Sequence, residues 1–487
     1  MDTRPDFTLP DDLMAALPEP VQALIISQQA YIKVLEARIK DLETRVRDLE
    51  ARLAQDSQNS SKPPSSDPPW KQRPGKSRSG RKQGGQPGHP GHHRFSYSHD
   101  EVDRVVDVRP STCKHCHASI GTGGKQEGEY WTHQVAELPE VTPAITEYRL
   151  YSETCAHCGK KTRASLPTDV PARPYGPRLQ AVAAMLTGRY RMSRRETRQA
   201  LFDLFGVRIS LGALSQLEGA TSDALAWVVD KAAQAAKNAS IVNMDETGWK
   251  EAGERTWLWT AVMPGVTLFK IAPTRGGVVV NEILGTDFSG VVGSDRYGAY
   301  NRIPVERRAV CFAHLKRNFQ ALAEREDEDQ FVGVWGLQQI ERVFALWHKY
   351  KAGEIDRETL RKRLRPVQRE FRKLLEYGKA SGSAKTRTLC WSLTDIWDAL
   401  WTFSRIEGVE PTNNAAERAL RPGVLWRKGS FGTQSDRGNR FAERMMTVIA
   451  SCRQQERHLL TFLQETCQAM LAGTAPPSLA RVPAEGT

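Results

Sequence analysis

Ser240-Ile241-Val242-Asn243-Met244-Asp245-Glu246-Thr247-Gly248-Trp249-Lys250 is a short apolar run that arrives at a carboxylate. Ile241, Val242 and Met244 are β-branched or bulky, the run is too short for a helix, and Thr247-Gly248 reads as its break. The pattern therefore predicts a buried strand that reaches the surface at Asp245. An acid at such a place can hold a cation.

Working downstream, Thr256 to Met263 reads as a strand, Pro264-Gly265 as a turn and Val266 to Ile271 as the hairpin partner. Val278 to Leu284 reads as a short helix, and Gly290 to Gly293 as a fourth strand running into Ser294-Asp295. Three strands, a helix and a fourth strand is the order of the ribonuclease-H-like fold, in which the first and fourth strands are neighbours. That order predicts Asp245 beside Asp295. A third acid would let the pair hold two divalent cations about 4 Å apart, the arrangement that serves phosphodiester cleavage. The candidate is Glu417, in Pro411-Thr412-Asn413-Asn414-Ala415-Ala416-Glu417-Arg418-Ala419-Leu420-Arg421-Pro422, read as a helix that opens on Asn caps with Arg418 and Arg421 on one face. Glu246 is the rival first ligand, but adjacent strand residues point to opposite faces.

Met244 to Trp249, Ser294-Asp295-Arg296-Tyr297 with Tyr300, Cys311-Phe312-Ala313-His314-Leu315-Lys316-Arg317 and the Asn413 to Pro422 stretch together resemble the DDE transposases of bacterial insertion sequences of the IS-sixty-six family. The resemblance extends over nearly the whole chain. It implies that Asp245, Asp295 and Glu417 form a catalytic triad holding magnesium or manganese, and that the protein binds element ends, cleaves DNA and transfers the strand. It also implies small accessory proteins encoded alongside. One position departs from the pattern: Arg296 stands after the second Asp, where Gly is usual. A zinc-dependent DNA-binding regulator derived from a transposase and a metal-dependent nuclease without strand joining are the alternative functions.

The chain has 487 residues and a formal net charge of +12. This excess favours a polyanionic partner, most simply double-stranded DNA. No run approaches a membrane span and the start is acidic, so no membrane role is expected and the bacterial cytoplasm, with the nucleoid, is the expected location. From Val21 to Ala54 a heptad places Ile25, Ile32, Ile39, Val46 and Leu53 at one seam position and Leu35, Leu42 and Leu49 at the other, with Gln28 the polar intruder. That pattern favours a parallel two-stranded coiled coil and hence a homo-oligomer, against one amphipathic helix packed on its own protein. Residues 57–95 are rich in Pro, Gly, Ser and Lys/Arg, a composition that builds no core. They read as a disordered basic linker, able to follow a DNA backbone or to act as a solvated spacer.

Cys113-Lys114-His115-Cys116 and Cys155-Ala156-His157-Cys158 offer four soft ligands suited to tetrahedral zinc, against a reading as redox cysteines. Tyr130 to Tyr151 alternates like a strand, so a hairpin there is expected to bring the pairs together. From Tyr175 to Asn238 the pattern is helical and helix-turn-helix-like, with Ser193 opening a helix to Phe205, Gly206 stopping it and Ser210 capping the next. Arg194, Arg195 and Arg198 make its first turns basic, as a DNA contact or as a solvated face of a helical neck.

Val310 to Ala313 reads as a fifth strand, with His314, Lys316 and Arg317 beyond it as candidate DNA contacts; a lone His is also commonly structural. Glu324 to Arg405 reads as a helical insertion with tryptophans in its core. Arg427-Lys428-Gly429-Ser430-Phe431-Gly432 reads as a basic glycine-rich loop that could grip DNA. The fold class is multidomain α+β, divided as coiled coil 1–56, linker 57–95, zinc-binding region 96–172, helical domain 173–238, core 239–322, insertion 323–408, core 409–470 and disordered tail 471–487.

Overall fold

The structure, a computed structural model, describes residues 11–55, 60, 96–120, 132–325, 327 and 329–479. Except for Ser60, the basic segment expected over 57–95 lies outside the described residues, as do Tyr130 and 480–487. The chain divides into two compact units, one of residues 1–69, 148–199 and 208–487, the other of 70–147 and 200–207. The described residues of the smaller unit include a 3-10 turn, His99–Glu101, an isolated bridge between Thr112 and Ser119, and the second half of the helix Arg194–Phe205.

In the larger unit a hairpin of β1 (Ser152–Thr154) and β2 (Lys161–Arg163) precedes a mixed sheet of β3 (Ile241–Glu251), β4 (Glu254–Met263), β5 (Val266–Ala272), β6 (Val291–Ser294) and β7 (Arg308–Val310). The strands lie in the order β5-β4-β3-β6-β7, so β3 and β6, the first and fourth in sequence, are neighbours as expected. β3, β4 and β5 pair antiparallel, while β6 runs parallel to β3 and β7 parallel to β6. Period-two patterning sorts the side chains. Val242 and Met244 enter a core with Trp259, Val280, Ile283 and Tyr300, whereas Trp249 enters the opposite one with Leu258, Phe269, Leu420 and Met446.

Three expectations about these elements are corrected. β3 does not break at Thr247-Gly248 but runs to Glu251, because each residue from Asn243 to Glu251 has a partner on β4. Its pairing with β6, by contrast, stops at Asn243. Asp245 is thus in mid-strand, yet lies just past the point where the parallel neighbour ends. The fifth strand is Arg308–Val310; Phe312 and Ala313, assigned to it from sequence, instead begin the helix Phe312–Ala323. The stretch Arg427 to Ser430 is not loop but the end of a helix, Asn414–Ser430, that accommodates Pro422.

The helical insertion comprises Asp329–Lys351, Arg357–Lys379, Ala384–Asp395 and two single turns, Trp397–Leu400 and Thr402–Arg405. Trp347 and Trp401 are buried in its core with Phe312, Phe319, Phe371 and Phe403, and Trp397 packs against them. Trp391 is the exception to the expected burial; it is exposed, with the Lys379 ammonium 4.4 Å above its ring. On Arg357–Lys379, Leu360, Leu364, Val367 and Phe371 face inward and the basic residues take the other side.

The helix Asp436–Gln454 covers the sheet edge. Its Ser451 and Thr447 hydroxyls accept from the Thr267 and Phe269 amides at 3.0 Å each, and Glu443 accepts from Ile271 at 2.5 Å. These residues, four apart on one helix face, meet alternate outward N–H groups of β5. Burial pushes the Glu443 carboxyl from 4.5 up to about 7, so between those values the folded chain holds a proton that the unfolded chain has released. Stability is then lost as pH rises through that window. Glu443→Gln keeps the accepting oxygen; it is expected to flatten this part of the pH profile of urea unfolding and to add on the order of 2 kcal/mol at pH 8.

The chain's end and beginning behave differently. The tail does not come loose at Ala472: Leu479 is fully buried beside Phe462, and Arg457 donates to the Ser478 carbonyl at 2.7 Å. The helix Glu19–Ala54 contains the heptad, and its seam residues Ile32, Leu35, Ile39, Leu42, Val46 and Leu49 are all exposed. No described helix is long and apolar enough to cross a membrane.

Candidate active site

The β3–β6 register pairs Ile241 with Val291, Val242 with Val292 and Asn243 with Gly293. Carried two residues further, it sets Asp245 level with Asp295, the first residue after β6. Asp295 turns the chain by accepting from the Tyr297 amide at 2.8 Å. Arg296 anchors this turn outward, donating to Ser392 at 2.7 Å and Asn318 at 3.0 Å; its long side chain ties the site to the helical insertion as a glycine could not.

Glu417 comes from the first turn of the helix Asn414–Ser430. Asn413 occupies the cap position without capping by its side chain: its amide donates 2.7 Å to the Met244 carbonyl, fastening the helix start to β3 one residue before Asp245. Two residues of the helix Phe312–Ala323 face Glu417 Oε1, His314 through Nδ1 at 3.5 Å and Arg317 at 3.8 Å. Asp295, Arg296, Tyr297, His314, Arg317 and Asn318 line a cavity of about 440 Å³.

Burial, and then the charges of Glu246, Asp295 and Glu417, push the Asp245 carboxyl up to about 8. Four carboxylates therefore share one field, and Asp245 resists ionising in it. His314 is held below the usual imidazole range by burial and by Arg317. His314 Nδ1, Glu417 Oε1 and Asn413 Oδ1 are buried without hydrogen-bond partners. Among the described residues, Cys311, His314 and Glu417 are the one set of three ligand-type side chains with donor atoms within 4.8 Å of one another. Asp245, Asp295 and Glu417 interact through their charges without closing to that distance. Orphaned acceptors beside an acid that resists ionising, Asp245, are a donor set that a divalent cation fits.

Glu246 points the other way. Buried on the far face of β3, it accepts from the Tyr300 hydroxyl at 2.5 Å and from the guanidinium of the half-buried Arg275 at 2.8 Å. Arg275 and Asn413 had not been singled out as partners of the site, because each acts through a tertiary contact that no local spacing announces. Cys311 is buried, its sulfur accepting from the Asn413 amide at 3.2 Å.

The basic candidates divide by environment. Arg418, Arg421, Lys428, Lys316, Arg195 and Arg198 are exposed. Arg427 is turned inward, donating to the Gly248 carbonyl and to Thr247, and Arg194 is paired with Glu218 at 2.6 Å.

Each cysteine pair forms a tight turn within its own unit. In one, the His117 amide donates to the Cys113 carbonyl at 2.9 Å; in the other, Gly159 donates to Cys155 at 2.8 Å. The N–H groups of Cys116 and His115 hold the Cys113 thiol below its ordinary value, and those of Cys158 and His157 do the same for Cys155. The strand expected over Tyr130 to Tyr151 is absent from residues 132–151, where Val135, Leu138 and Ile145 are exposed and Pro139 and Pro143 supply no amide donors. Alternation had no buried face to serve. The second pair sits instead at the tip of the β1–β2 hairpin.

Comparison with known proteins bears on this geometry. The chain is 25% identical over 305 residues to the uncharacterized protein y4qI of Sinorhizobium fredii (strain NBRC 101917 / NGR234), covering 56% of each chain. It is 26% identical over 397 residues to the uncharacterized protein y4hP of the same organism, covering 72% of this chain and 69% of the relative. The chain thus spans little more than half the length of the first. A model described as a family of unknown function (DUF6444) matches residues 14–95, and the model of the Transposase IS66 family matches residues 175–441, from the first neck helix through Glu417 to the edge-covering helix. With more than half of its length matched by that last model, the chain belongs to the IS66 family of transposases.

Proposed function

We propose that this chain is a DDE transposase with a ribonuclease-H-like core, in which Asp245, Asp295 and Glu417 are the catalytic acids for cleavage at an element's ends and for strand transfer. The observation that carries the reading is the β3–β6 register, which levels the two aspartates, together with the Asn413 bond to β3 that fixes the helix bearing Glu417. In the first step a water oxygen bonds to phosphorus and the 3′ oxygen leaves; in the second that 3′-hydroxyl attacks a target phosphodiester and the target's own 3′ oxygen leaves. The three acids would hold magnesium or manganese, which when bound supplies charge stabilisation at the phosphoryl oxygens and a more acidic water. Arg317 and His314 stand where they can orient Glu417 and a scissile phosphate. Arg418, Arg421, Lys316 and Lys428 offer exposed charge to the flanking backbone, and Arg195 and Arg198 do so from the helical domain.

Each cysteine knuckle is read as a pair of ligands for structural zinc, since backbone N–H groups directed at a sulfur favour the thiolate that zinc requires. The open heptad seam on Glu19–Ala54 supports self-association as a coiled coil. Incubating the purified protein with a labelled element end, divalent metal and a target plasmid separates the alternatives. Joined product supports the transposase, cleavage alone a nuclease, and bound uncut DNA a regulator.

Metal binding should be linked to pH. Because the Asp245 carboxyl is pushed up to about 8, magnesium or manganese must displace a proton from it at neutral pH. Affinity is expected to rise from pH 6 to 8, with about one proton released per Asp245 at pH 7, read by titration calorimetry in buffers of different ionisation enthalpy. Asp245→Asn should abolish that release.

A further inference from the structure

A second cavity, of about 780 Å³, opens between the turn after the helix Pro177–Gly188 and the segment that follows the Glu417 helix. Its volume is in the range of small-molecule sites, about 300–1,000 Å³. Its lining joins rings to cations, Tyr190 and Trp426 with Arg191 and Arg437, alongside Glu196 and Glu218, the latter neutralised by Arg194. Tyr190 is 58% exposed although it lines a concavity. Arg191 has no hydrogen bond or ion pair among the described residues. Arg437 lies flat against Gly219, where a Cβ would meet its guanidinium Nη2 at 1.7 Å, and it donates to the Ser215 carbonyl at 3.2 Å.

Of the five non-glycine residues among those described that take positive φ, Arg191 at 60° lines the cavity, Phe431 at 59° is the left-handed cap that ends the Glu417 helix, and Ala252 at 49° belongs to the β3–β4 turn. The Ala252 amide donates to the Thr433 carbonyl at 2.8 Å, so the β3–β4 hairpin tip and the lining segment hold one another. Gly432, between them, passes so close to Lys250 that a Cβ would stand 2.1 Å from its carbonyl oxygen. Left-handed conformations at Arg and Phe persist only where surrounding structure enforces them, and they concentrate at ligand sites. Phe431 lies in the chain between two lining residues, and its ring is 72% exposed.

A duplex, about 20 Å across on the helical dimensions of its grooves, cannot enter such a space; one nucleotide can. We infer that this cavity receives a single unpaired nucleotide of the bound DNA, its base stacked on Tyr190 and its phosphate held by Arg191 and Arg437. The inference rests on the transposase reading for the presence of DNA and adds a subsite for which that reading has no need. Base stacking on an aromatic ring beside arginines is tolerant of sequence, so the site would recognise a nucleotide's unpaired state rather than its identity.

The test uses the full chain and two fluorescein-labelled 30-base-pair probes, one perfect and one with a single extrahelical 2-aminopurine. The bulged probe is expected to bind at least about fivefold more tightly, with its 2-aminopurine emission quenched. Tyr190→Ala, and separately the pair Arg191→Ala with Arg437→Ala, should bring the affinity ratio to about one; Tyr190→Phe should retain both ratio and quenching. Equal affinity for the two probes with the parent protein, or quenching that survives Tyr190→Ala, overturns the inference while leaving the transposase reading intact. Failure to bind either probe overturns both.

Discussion

Asp245→Asn is expected to reduce strand cleavage by about a thousandfold or more while raising the melting temperature of the metal-free protein. The two effects have one origin. Burial and the charges of three further carboxylates push Asp245 up to about 8, so the fold bears the cost of an acid it cannot readily ionise. Asparagine has nearly the same shape and no charge to bury, which removes that cost. It also removes an anionic ligand worth several kcal/mol to the transition state, about 1.4 kcal/mol for each tenfold in rate. A variant that melts higher but does not cut cannot be dismissed as misfolded. Strand cleavage by Asp245→Asn at the parent's rate would show the acid to be wrongly assigned. Glu246→Gln should give the opposite pattern, a lower melting temperature from the broken Arg275 pair and a smaller loss of activity, measured by the same thermal scan and cleavage assay.

Trp401→Ala is the second large effect, about 3–5 kcal/mol of destabilisation by urea unfolding. Trp401 is 2% exposed, with ring centroids 5.7 Å from Phe312, 6.2 Å from Phe371 and 5.5 Å from Trp397. Truncation leaves a cavity that these rigid rings cannot close. Its indole N–H has no hydrogen-bond partner, so Trp401→Phe loses no polar contact and is expected to cost less than about 2 kcal/mol. The damage should reach the site, because Phe312 opens the helix that carries His314 and Arg317 and donates 2.8 Å to the Pro411 carbonyl, two residues before Asn413. A fall in cleavage with Trp401→Ala and its recovery with Trp401→Phe would report that linkage.

Apolar runs ending at acids made β3 and β6 themselves legible, since these are local signals; their adjacency was legible only through the likeness of the element order to the ribonuclease-H-like fold. The length of β3 was not, because Gly248, which looks like a break, is kept in the strand by pairing with Trp257 and by the inward-turned Arg427. The helical continuation through Arg427, read as loop, was hidden as well; Pro422 sits inside a helix whose packing on β3 and β4 outweighs the lost backbone bond. Asn413 was visible as a helix opener, but its grip on the Met244 carbonyl spans 169 positions in sequence. The strand-like alternation before Tyr151 misled for the opposite reason: pattern was present and a surface to bury it was not.

The way Ser451, Thr447 and Glu443 satisfy β5 has a consequence for biosynthesis. β5 is complete at Ala272, whereas the helix that covers it begins at Asp436. Throughout the intervening translation its outward amides are an open template for a strand from another nascent chain. Products truncated ahead of Asp436 keep that template for good, so a frameshifted or interrupted copy of the gene would yield a sticky fragment rather than an inert one. Completing the chain through residue 454 supplies the hydroxyl and carboxyl acceptors that close the template.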